Sequence, residues 1–309
     1  MTSKVNALPA DTRERRLRTV NTRALFKRYL LDDEILLMPV VHDALCARIA
    51  EQAGFKTVCA AGYATSAAML GKPDVSLLTL SEMVECAGRI VDAVTIPVFA
   101  DGDTGHGNVT NVIRTVELFE KAGVAGLLLE DQAEPKRCGH MSGKQVIPER
   151  EMAAKLEAAL DARRDPDFVI MARTDALAVN GIDDAITRAQ AYREAGADAI
   201  FVEAPESVGQ MRRIAAEIDA PQLANMIPGG RTPLLPAQKL QEIGFAAVAY
   251  PTACTCTIAK AVLDMFAALH RTGTTAGLEE RMIDFGRFND LVGLQEIRDR
   301  EAWYYRDCG

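Results

Sequence analysis

Short runs of apolar and β-branched residues alternate along the chain with longer amphipathic segments. Such short runs, bounded by turn residues, are typical of strands buried in a parallel sheet, and the amphipathic segments are typical of helices that pack on it. The predicted strands cover residues 35–40, 56–61, 96–100, 126–130, 168–173, 199–203, 222–225 and 245–250. The predicted helices between them cover residues 43–54, 81–94, 111–122, 149–161, 182–195, 206–218 and 236–243.

The regular alternation of eight strands with helices predicts an α/β fold in which an all-parallel sheet closes into a (β/α)8 TIM barrel. A doubly wound open sheet is the structural alternative. It is less favoured as a dinucleotide-binding fold, because no Gly-x-Gly-x-x-Gly motif follows the first predicted strand.

The chain length also fits one barrel with extensions at both ends. A TIM barrel takes about 250 residues, and this chain has 309 residues, of which 49% are hydrophobic. We predict an amphipathic helix over residues 10–30 and one or two further helices over residues 257–271 and 281–305. The whole chain, residues 1–309, is therefore predicted to be a single domain with a barrel core at about 31–255 and C-terminal helices at about 256–305.

Charged and amide side chains follow the C-terminal ends of five consecutive predicted strands. They are Asp101 and Asp103, Glu130, Arg173 with Asp175, Glu203, and Asn225. In a TIM barrel these strand ends open onto one face, which is where such enzymes carry their chemistry. One such residue alone could be a helix N-cap, and Asp175 could be purely structural, but together they predict an active site.

Asp101 and Asp103 open the segment Asp-Gly-Asp-Thr-Gly-His-Gly-Asn. Two carboxylates two residues apart can reach one hard cation, and Mg²⁺ prefers oxygen ligands of this kind. A simple polar turn is the alternative, because Asp and Gly are common turn residues.

A cysteine between cations follows the fourth predicted strand, in the segment Lys136-Arg137-Cys138-Gly139-His140. Neighbouring positive charges favour the thiolate of a cysteine or poise the thiol for proton transfer. Because Glu130 and Asp131 precede this segment closely, the combination suggests an enzyme with a metal and a reactive cysteine.

The net charge of −8 and the pI near 5.2 argue against nucleic acid as a partner. The apolar runs are short, so we expect no membrane span and no signal peptide. Seven cysteines without framework spacing suggest free thiols in a reducing cytoplasm. The aromatic cluster Trp303-Tyr304-Tyr305 could pack on the barrel or cover a neighbouring subunit, and we favour an oligomer.

Taken in order, these segments resemble the isocitrate lyase/phosphoenolpyruvate mutase superfamily over almost the whole chain, and most of all its 2-methylisocitrate lyase and 2,3-dimethylmalate lyase branches. The resemblance lies in residues 71–74, 101–108, 130–132, 136–140, 171–176, 201–204 and 223–226. It implies Mg²⁺, with Mn²⁺ as a possible substitute, held mainly through waters. The metal residues that it implies are Asp74, Asp101, Asp103 and Glu130, with Asp101 as the direct ligand. It also implies a mobile lid that carries Cys138 and a homotetramer with swapped C-terminal helices.

The implied reaction is cleavage of a carbon–carbon bond in a 2-hydroxy di- or tricarboxylate, which gives a 2-keto acid such as pyruvate and a second carboxylate. Cys138 would protonate the departing carbanion as general acid, and Gly139 and Gly143 could act as hinges of the lid. The other implied roles are carboxylate charge compensation by Lys136, Arg137, His140 and Arg173, binding of the keto-acid end by Ala61, Gly62 and Tyr63 with Gly139 alongside, and orientation of the far side by Glu203 and Asn225. A carboxyphosphonoenolpyruvate phosphonomutase or an oxaloacetate hydrolase is the alternative.

Two departures from the superfamily pattern bear on the substrate. Cys59 and Ala61 stand where these lyases often have Tyr and Ser or Thr, which removes a proposed proton acceptor and one carboxylate contact. Residues 141–144 and 227–233 differ from the methylisocitrate lyase pattern, and residues 227–233 are more similar to the dimethylmalate branch. A smaller dicarboxylate is therefore favoured.

Overall fold

The computed structural model describes residues 22–141 and 143–306. The chain divides into two compact units, Met1–Ala253 and Cys254–Gly309. Of the helix expected over residues 10–30, residues 22–30 are described and helical, and they form α1. The remainder of that prediction lies outside the described residues.

Eight parallel strands make up the sheet of the first unit. They are β1 (Leu36–Val41), β2 (Val58–Ala60), β3 (Val98–Asp101), β4 (Gly126–Glu130), β5 (Val169–Thr174), β6 (Ala199–Val202), β7 (Leu223–Asn225) and β8 (Ala247–Tyr250). The helices that alternate with them are α2 (Ala44–Gln52), α3 (Gly62–Leu70), α4 (Leu80–Ala93), α5 (Val109–Ala122), α6 (Glu149–Ala162), α7 (Leu177–Asn180), α8 (Ile182–Glu194), α9 (Val208–Glu217) and α10 (Ala237–Ile243).

The sheet closes on itself. Its hydrogen-bonded order is β6-β5-β4-β3-β2-β1-β8-β7, so β1 pairs with β8. The remaining seam between β6 and β7 is joined by a parallel bridge between Ile200 and Gln222, beside a 2.9 Å hydrogen bond from Ile200 N to Pro221 O. The predicted (β/α)8 TIM barrel is thus confirmed, and the open doubly wound sheet is wrong.

Side chains alternate between the barrel interior and the helix layer, as the two-residue period of a strand requires. Met171 of β5 and Phe201 of β6 belong to the apolar core inside the barrel. Two residues further along, the same face of each strand carries Arg173 and Glu203. The C-terminal ends of the strands therefore carry polar groups directly above the apolar filling of the barrel.

Local signals in the sequence explain where the helices begin and end. α4 begins with a capping box in which the Thr79 side chain accepts from Glu82 N, while Glu82 accepts from Thr79 N. α5 begins with a capping box from Asn108 and ends at Gly123, whose φ of 94° is favourable for glycine. α3 and α7 were not predicted. α3 is apolar nearly all round and follows β2 almost directly, so it shows no amphipathic period.

The second unit is helical. It contains most of α11 (Ala253–Thr272), then a 3-10 turn (Glu279–Arg281), α12 (Phe285–Leu291) and α13 (Leu294–Tyr305). Apolar side chains here are exposed in the single chain, including Leu263, Phe266, Phe285 and Tyr305. Among the described residues, α11 is the one helix whose length and apolar composition would suffice to cross a membrane, with a mean hydropathy of 1.3 over its most apolar window. A single helix of this kind is weak evidence for a membrane span.

Candidate active site

Four carboxylates that the sequence assigned to a metal meet at one rim of the barrel. Asp101 ends β3 and Glu130 ends β4, while Asp74 lies in the segment after α3 and Asp103 in the loop after β3. The ammonium group of Lys136 joins the cluster, with Nζ 2.8 Å from Asp74 Oδ1 and 2.7 Å from Asp103 Oδ1. The strand-end pattern therefore predicted a real convergence of side chains.

The backbone holds Asp101 at the centre of this cluster. Gly62 N donates to Asp101 Oδ2 at 3.1 Å, and Asp103 N donates to Asp101 Oδ1 at 3.0 Å. Gly62 is the first residue of α3, so the positive end of that helix faces the carboxylates. A Cβ at Gly62 would lie 3.1 Å from Asp103 Oδ1. Glycine at this position therefore allows the helix to approach the cluster closely.

The positive charges of the neighbouring side chains do not fully neutralise the negative charge of this carboxylate cluster. Burial raises the pKa of Asp103 to about 7, against the lowering effect of Lys136. Burial likewise raises the pKa of Glu130 well above its ordinary value, against Arg173 and Lys136. Glu130 Oε1 is buried and accepts no hydrogen bond from the described residues. Buried acceptors of this kind call for a compensating cation, so the donor set fits Mg²⁺ or Mn²⁺.

Residues 133–146 form a segment that we call the lid, and its described residues, 133–141 and 143–146, lie over this rim. An antiparallel bridge joins Gln132, just before the lid, to Val146 at its end, and Ala133 N donates to Gln145 O at 2.8 Å. In its middle, Cys138 N donates to Asp74 O at 3.2 Å. The backbone of Cys138 is therefore tied to the loop that carries one of the four carboxylates.

Cys138 is partly buried, and burial raises the pKa of its thiol above the ordinary value of 9.0. The negative charges of Glu203 and Asp74 act in the same direction, against Arg173 and a hydrogen bond from the backbone of His140. Lys136 does not favour the thiolate, because its ammonium group lies among the carboxylates instead. The other expectation, a thiol poised for proton transfer, stays a prediction. Cys138 is a neutral thiol at pH 7, which is the state required of a proton donor.

Arg173 forms the second charged group at the rim. Its guanidinium lies 3.0 Å from Glu203 Oε2 and 3.3 Å from Glu130 Oε2, and donates from Nε to Asp175 Oδ2 at 2.8 Å. The guanidinium also stacks 5.3 Å from the centre of the Phe201 ring. Burial would raise the pKa of Glu203, but Arg173 and His140 together outweigh burial and hold it below its ordinary value. Arg173 and Glu203 are therefore a charged pair inside the barrel mouth.

His140 joins the lid to this pair. Its Nε2 lies 3.1 Å from Glu203 Oε1, and its Nδ1 accepts a 3.0 Å hydrogen bond from the backbone N–H of Arg231 in the loop after β7. Because Nδ1 accepts, the proton of a neutral ring resides on Nε2, where it faces the carboxylate. The loop after β7 thus sets the orientation of a lid side chain.

The remaining predicted residues differ in how close they lie to the rim. Asn225 Nδ2 lies 3.5 Å from Glu203 Oε2, and the Gly139 backbone lies against Arg173 and Glu203. Ala61 and Tyr63 lie at the start of α3, next to Gly62. Arg137 is exposed and its Nη1 lies beside Gly143, so the structure does not bring its side chain to the rim.

The sequence did not predict three further residues near the rim as functional candidates. Asp131 follows Glu130 and points to the helix layer, where it accepts hydrogen bonds from Thr174 Oγ1 at 2.7 Å and Tyr192 OH at 2.8 Å. Its place directly after a strand-end carboxylate was the available signal. Glu134 accepts from Ser76 Oγ at 2.7 Å and from Lys136 N at 3.1 Å.

Lys144 is the third missed residue. It lies in the lid, donates to Asp175 Oδ1 at 2.6 Å and has a side chain that is only 2% exposed. A lysine in a polar loop is usually solvated, so no sequence pattern pointed to it.

Comparison with known proteins places the chain in a family. A family model described as phosphoenolpyruvate phosphomutase matches residues 26–270. The 2,3-dimethylmalate lyase of Eubacterium barkeri is 48% identical over 285 residues, which cover 92% of this chain and 99% of that protein. The chloroplastic carboxyvinyl-carboxyphosphonate phosphorylmutase of Arabidopsis thaliana is 44% identical over 290 residues, which cover 93% of this chain and 86% of that protein.

Among solved structures, oxaloacetate acetylhydrolase in complex with the inhibitor 3,3-difluorooxalacetate matches with a TM-score of 0.87 and 33% identity, over 92% of this chain and 97% of that one. The fold and the matched residues define an enzyme of the isocitrate lyase/phosphoenolpyruvate mutase superfamily, as the sequence segments implied. Within it, the chain belongs to the phosphoenolpyruvate phosphomutase family.

Proposed function

We propose that this enzyme is a Mg²⁺-dependent lyase that cleaves a 2-hydroxydicarboxylate into a 2-keto acid and a second carboxylate, with Cys138 as general acid. The observation that carries the proposal is the position of Cys138, whose backbone N–H donates to Asp74 O beside the carboxylate cluster. Burial raises the pKa of its thiol, which favours the protonated form. A proton donor and a cation site at one rim are the two parts that such a cleavage needs.

Asp74, Asp101, Asp103 and Glu130 would hold the metal ion, mainly through waters, with Asp101 as the direct ligand. The buried Glu130 Oε1, which accepts no hydrogen bond from the described residues, supports this assignment. When bound, Mg²⁺ or Mn²⁺ would lower the pKa of the substrate hydroxyl group and offset carboxylate charge. Lys136, which lies among the carboxylates, would limit their mutual repulsion while the lid is closed.

The protein would supply the proton to the leaving carbon and keep water out of the site. As the carbon–carbon bond breaks, its electron pair stays on the leaving carbon, and the Cys138 S–H group delivers a proton to that carbon. The proton released by the substrate hydroxyl balances the one that the thiol has given up. The lid would exclude water, so that the leaving carbanion takes its proton from Cys138.

Arg173 and His140 would orient the carboxylate groups of the substrate. Arg173 is fixed by its pairs with Glu203 and Asp175, so its charge is preorganised. Asn225 would orient the far side of the substrate together with Glu203. At the other end, the start of α3 at Ala61, Gly62 and Tyr63 would receive the keto-acid end.

A dicarboxylate of the 2,3-dimethylmalate type is the favoured substrate, and a 2-methylisocitrate-like tricarboxylate is less favoured. The 48% identity with a 2,3-dimethylmalate lyase supports the smaller substrate. A phosphonomutase is less favoured, because a rearrangement between phosphorus and carbon needs no proton delivered to carbon. Oxaloacetate hydrolysis is the second candidate, since the acetylhydrolase structure matches with a TM-score of 0.87.

A substrate panel tests the proposal. The purified protein with Mg²⁺ is incubated separately with 2,3-dimethylmalate, 2-methylisocitrate, isocitrate, oxaloacetate and carboxyphosphonoenolpyruvate. Release of pyruvate or glyoxylate identifies a lyase, oxalate identifies the hydrolase, and a new phosphorus–carbon product identifies the mutase. We expect pyruvate from 2,3-dimethylmalate, and none after metal removal by a chelator. Turnover of the phosphonate alone would contradict the proposal.

We also propose a cytoplasmic homotetramer in which the C-terminal helices are swapped between subunits. Exposed apolar side chains of α11, among them Leu263 (67%) and Phe266 (58%), support burial against another copy of the chain. Seven cysteines without a disulfide framework support the cytoplasm.

Light scattering tests the assembly. The double variant L263D/F266D should lose the tetramer that the wild-type chain forms. A variant at an exposed polar site of α10, Lys239→Ala, serves as control. Binding of the wild-type chain to lipid vesicles, with no tetramer in solution, would contradict the proposal and favour a membrane role for α11.

A further inference from the structure

We propose that Lys144 fastens the closed lid, because its ammonium group joins the lid backbone at Gly139 to the barrel carboxylate Asp175. Lys144 is thus a positioning residue that acts through Cys138. Its effect on catalysis rests on the proposed role of Cys138, whereas its effect on closure does not.

Both contacts of Lys144 are buried. Nζ donates to Gly139 O and to Asp175 Oδ1, the second at 2.6 Å. The Lys144 side chain is 2% exposed and the Asp175 side chain 0%. Hydrogen bonds between charged groups in such surroundings are strong and directional. A lid lysine would otherwise lie in water, so its burial requires this specific pairing.

Asp175 is a rigid anchor on the barrel side. It accepts from Arg173 Nε at 2.8 Å and Nη2 at 3.1 Å, and its own backbone N–H donates to Asp131 Oδ1 at 2.9 Å. Asp175 therefore keeps its place and a cationic partner when the lid opens. Lys144 would then regain water around its ammonium group, so the fastening is reversible.

The lid contact of Lys144 lies next to the reactive thiol. Gly139 follows Cys138 directly, and a Cβ at Gly139 would lie 2.4 Å from Arg173 Nη2 and 2.5 Å from Glu203 Cδ. The lid backbone is therefore pressed against the rim at this point. By holding Gly139 O, Lys144 fixes the chain on one side of Cys138, while the bond from Cys138 N to Asp74 O fixes the other.

Alkylation of Cys138 measures lid opening independently of turnover. Wild type and Lys144→Met are treated with iodoacetamide, without ligands and with Mg²⁺ plus oxalate, and labelling is followed by peptide mass spectrometry. Free glutathione, labelled in parallel, is the reference for reagent activity. We expect Cys138 of Lys144→Met to be labelled at least about tenfold faster, which corresponds to about 1.4 kcal/mol. Turnover by this variant should fall mainly in kcat.

Lys155→Met is the matched control, because Lys155 is also a buried lysine, and it bonds to Thr104 O outside the lid. Its Cys138 labelling should stay at the wild-type rate. If Lys144→Met does not fold, the same comparison of Cys138 labelling rates is made with Lys144→Gln.

Wild-type labelling of Cys138 in a folded Lys144 variant, under both conditions, would overturn the proposal. Failure of both variants to fold would also overturn it, since Lys144 would then support the barrel itself. Absence of turnover in the wild-type enzyme would reject the proposed function and leave the labelling ratio as the test of the lid.

Discussion

Lys136 Nζ lies 2.7 Å from Asp103 Oδ1, so a cation carried by the lid sits among the carboxylates proposed to hold the metal. Burial raises the pKa of Asp103 to about 7 and the charge of Lys136 opposes this rise. The position of the lid over the rim and the charge of the carboxylate cluster are therefore linked.

This arrangement predicts that Lys136→Met binds Mg²⁺ more tightly than the wild-type enzyme. Removal of a buried positive charge leaves the carboxylates uncompensated, and a free energy change of about 1.4 kcal/mol would raise the affinity about tenfold. Isothermal titration calorimetry measures the change. The exposed Lys239→Met variant is the control and should bind as wild type does. Weaker Mg²⁺ binding by Lys136→Met would show that Lys136 assists the metal rather than competing with it.

The pH profile of the reaction follows from the thiol of Cys138. A general acid must be protonated, and burial raises the pKa of Cys138 above 9.0. Activity governed by this group is thus fully present at neutral pH and is lost as the pH rises through the raised pKa. We expect kcat measured from pH 7 to 10.5 to hold up to about pH 9 and to fall beyond it. A rise in kcat over this range would instead show that the thiolate is the active form, and would contradict the role of Cys138 as general acid.

Gly139→Ala should prevent closure of the lid. The added methyl group would lie 2.4 Å from Arg173 Nη2. To relieve this clash, either the lid backbone or the Arg173 side chain would have to move away from the rim. We expect kcat to fall by roughly 100-fold, comparable to the loss of a general acid, while the thermal midpoint changes little. Gly209→Ala on α9 is the control, since its methyl group would meet only Ser207 Oγ at 3.7 Å. Normal turnover by Gly139→Ala would mean that the closed lid is not the catalytic state.

Glu134 should contribute to stability above acidic pH. Partial burial raises the pKa of this solvent-accessible carboxylate, but hydrogen bonds from Ser76, Thr104 and the Lys136 backbone outweigh burial and hold the pKa below its ordinary value of 4.5. A lowered carboxylate pKa stabilises the fold above the unfolded value, and the contribution disappears as the pH falls through the folded value.

Glu134→Gln should therefore lower the free energy of unfolding by about 1 kcal/mol at pH 7, with allowance for solvent screening. Its urea unfolding curve should converge with that of wild type below about pH 4.5. A constant difference between the two curves down to pH 3.5 would show that the carboxylate charge is not involved.

Much of this architecture follows from patterns in the chain. The eight strands lie within about two residues of the predicted ranges, because buried parallel strands are short apolar runs with clear ends. The polar residues at the strand ends also predicted that Asp101, Glu130, Arg173 and Glu203 lie at one rim. The prediction was possible because the two-residue period of a strand fixes which side chains face inward.

Other features depend on contacts that no local pattern records. α3 lacks a polar face, and its short apolar sequence gives no helical period. Arg137 and Lys144 are both basic residues of the lid, yet Arg137 is exposed and Lys144 is buried against Asp175. The difference arises from the path of the lid over the rim, which is a tertiary property.

Parallel assays of Cys138→Ser and wild type test the central claim most directly, by measuring Mg²⁺ binding and pyruvate release from 2,3-dimethylmalate. Serine keeps the size of the side chain but is a far weaker acid than a thiol. We predict unchanged Mg²⁺ affinity and a loss of kcat of roughly 100- to 10,000-fold. Full turnover by Cys138→Ser would contradict the account, because the lid would then supply no proton to the reaction.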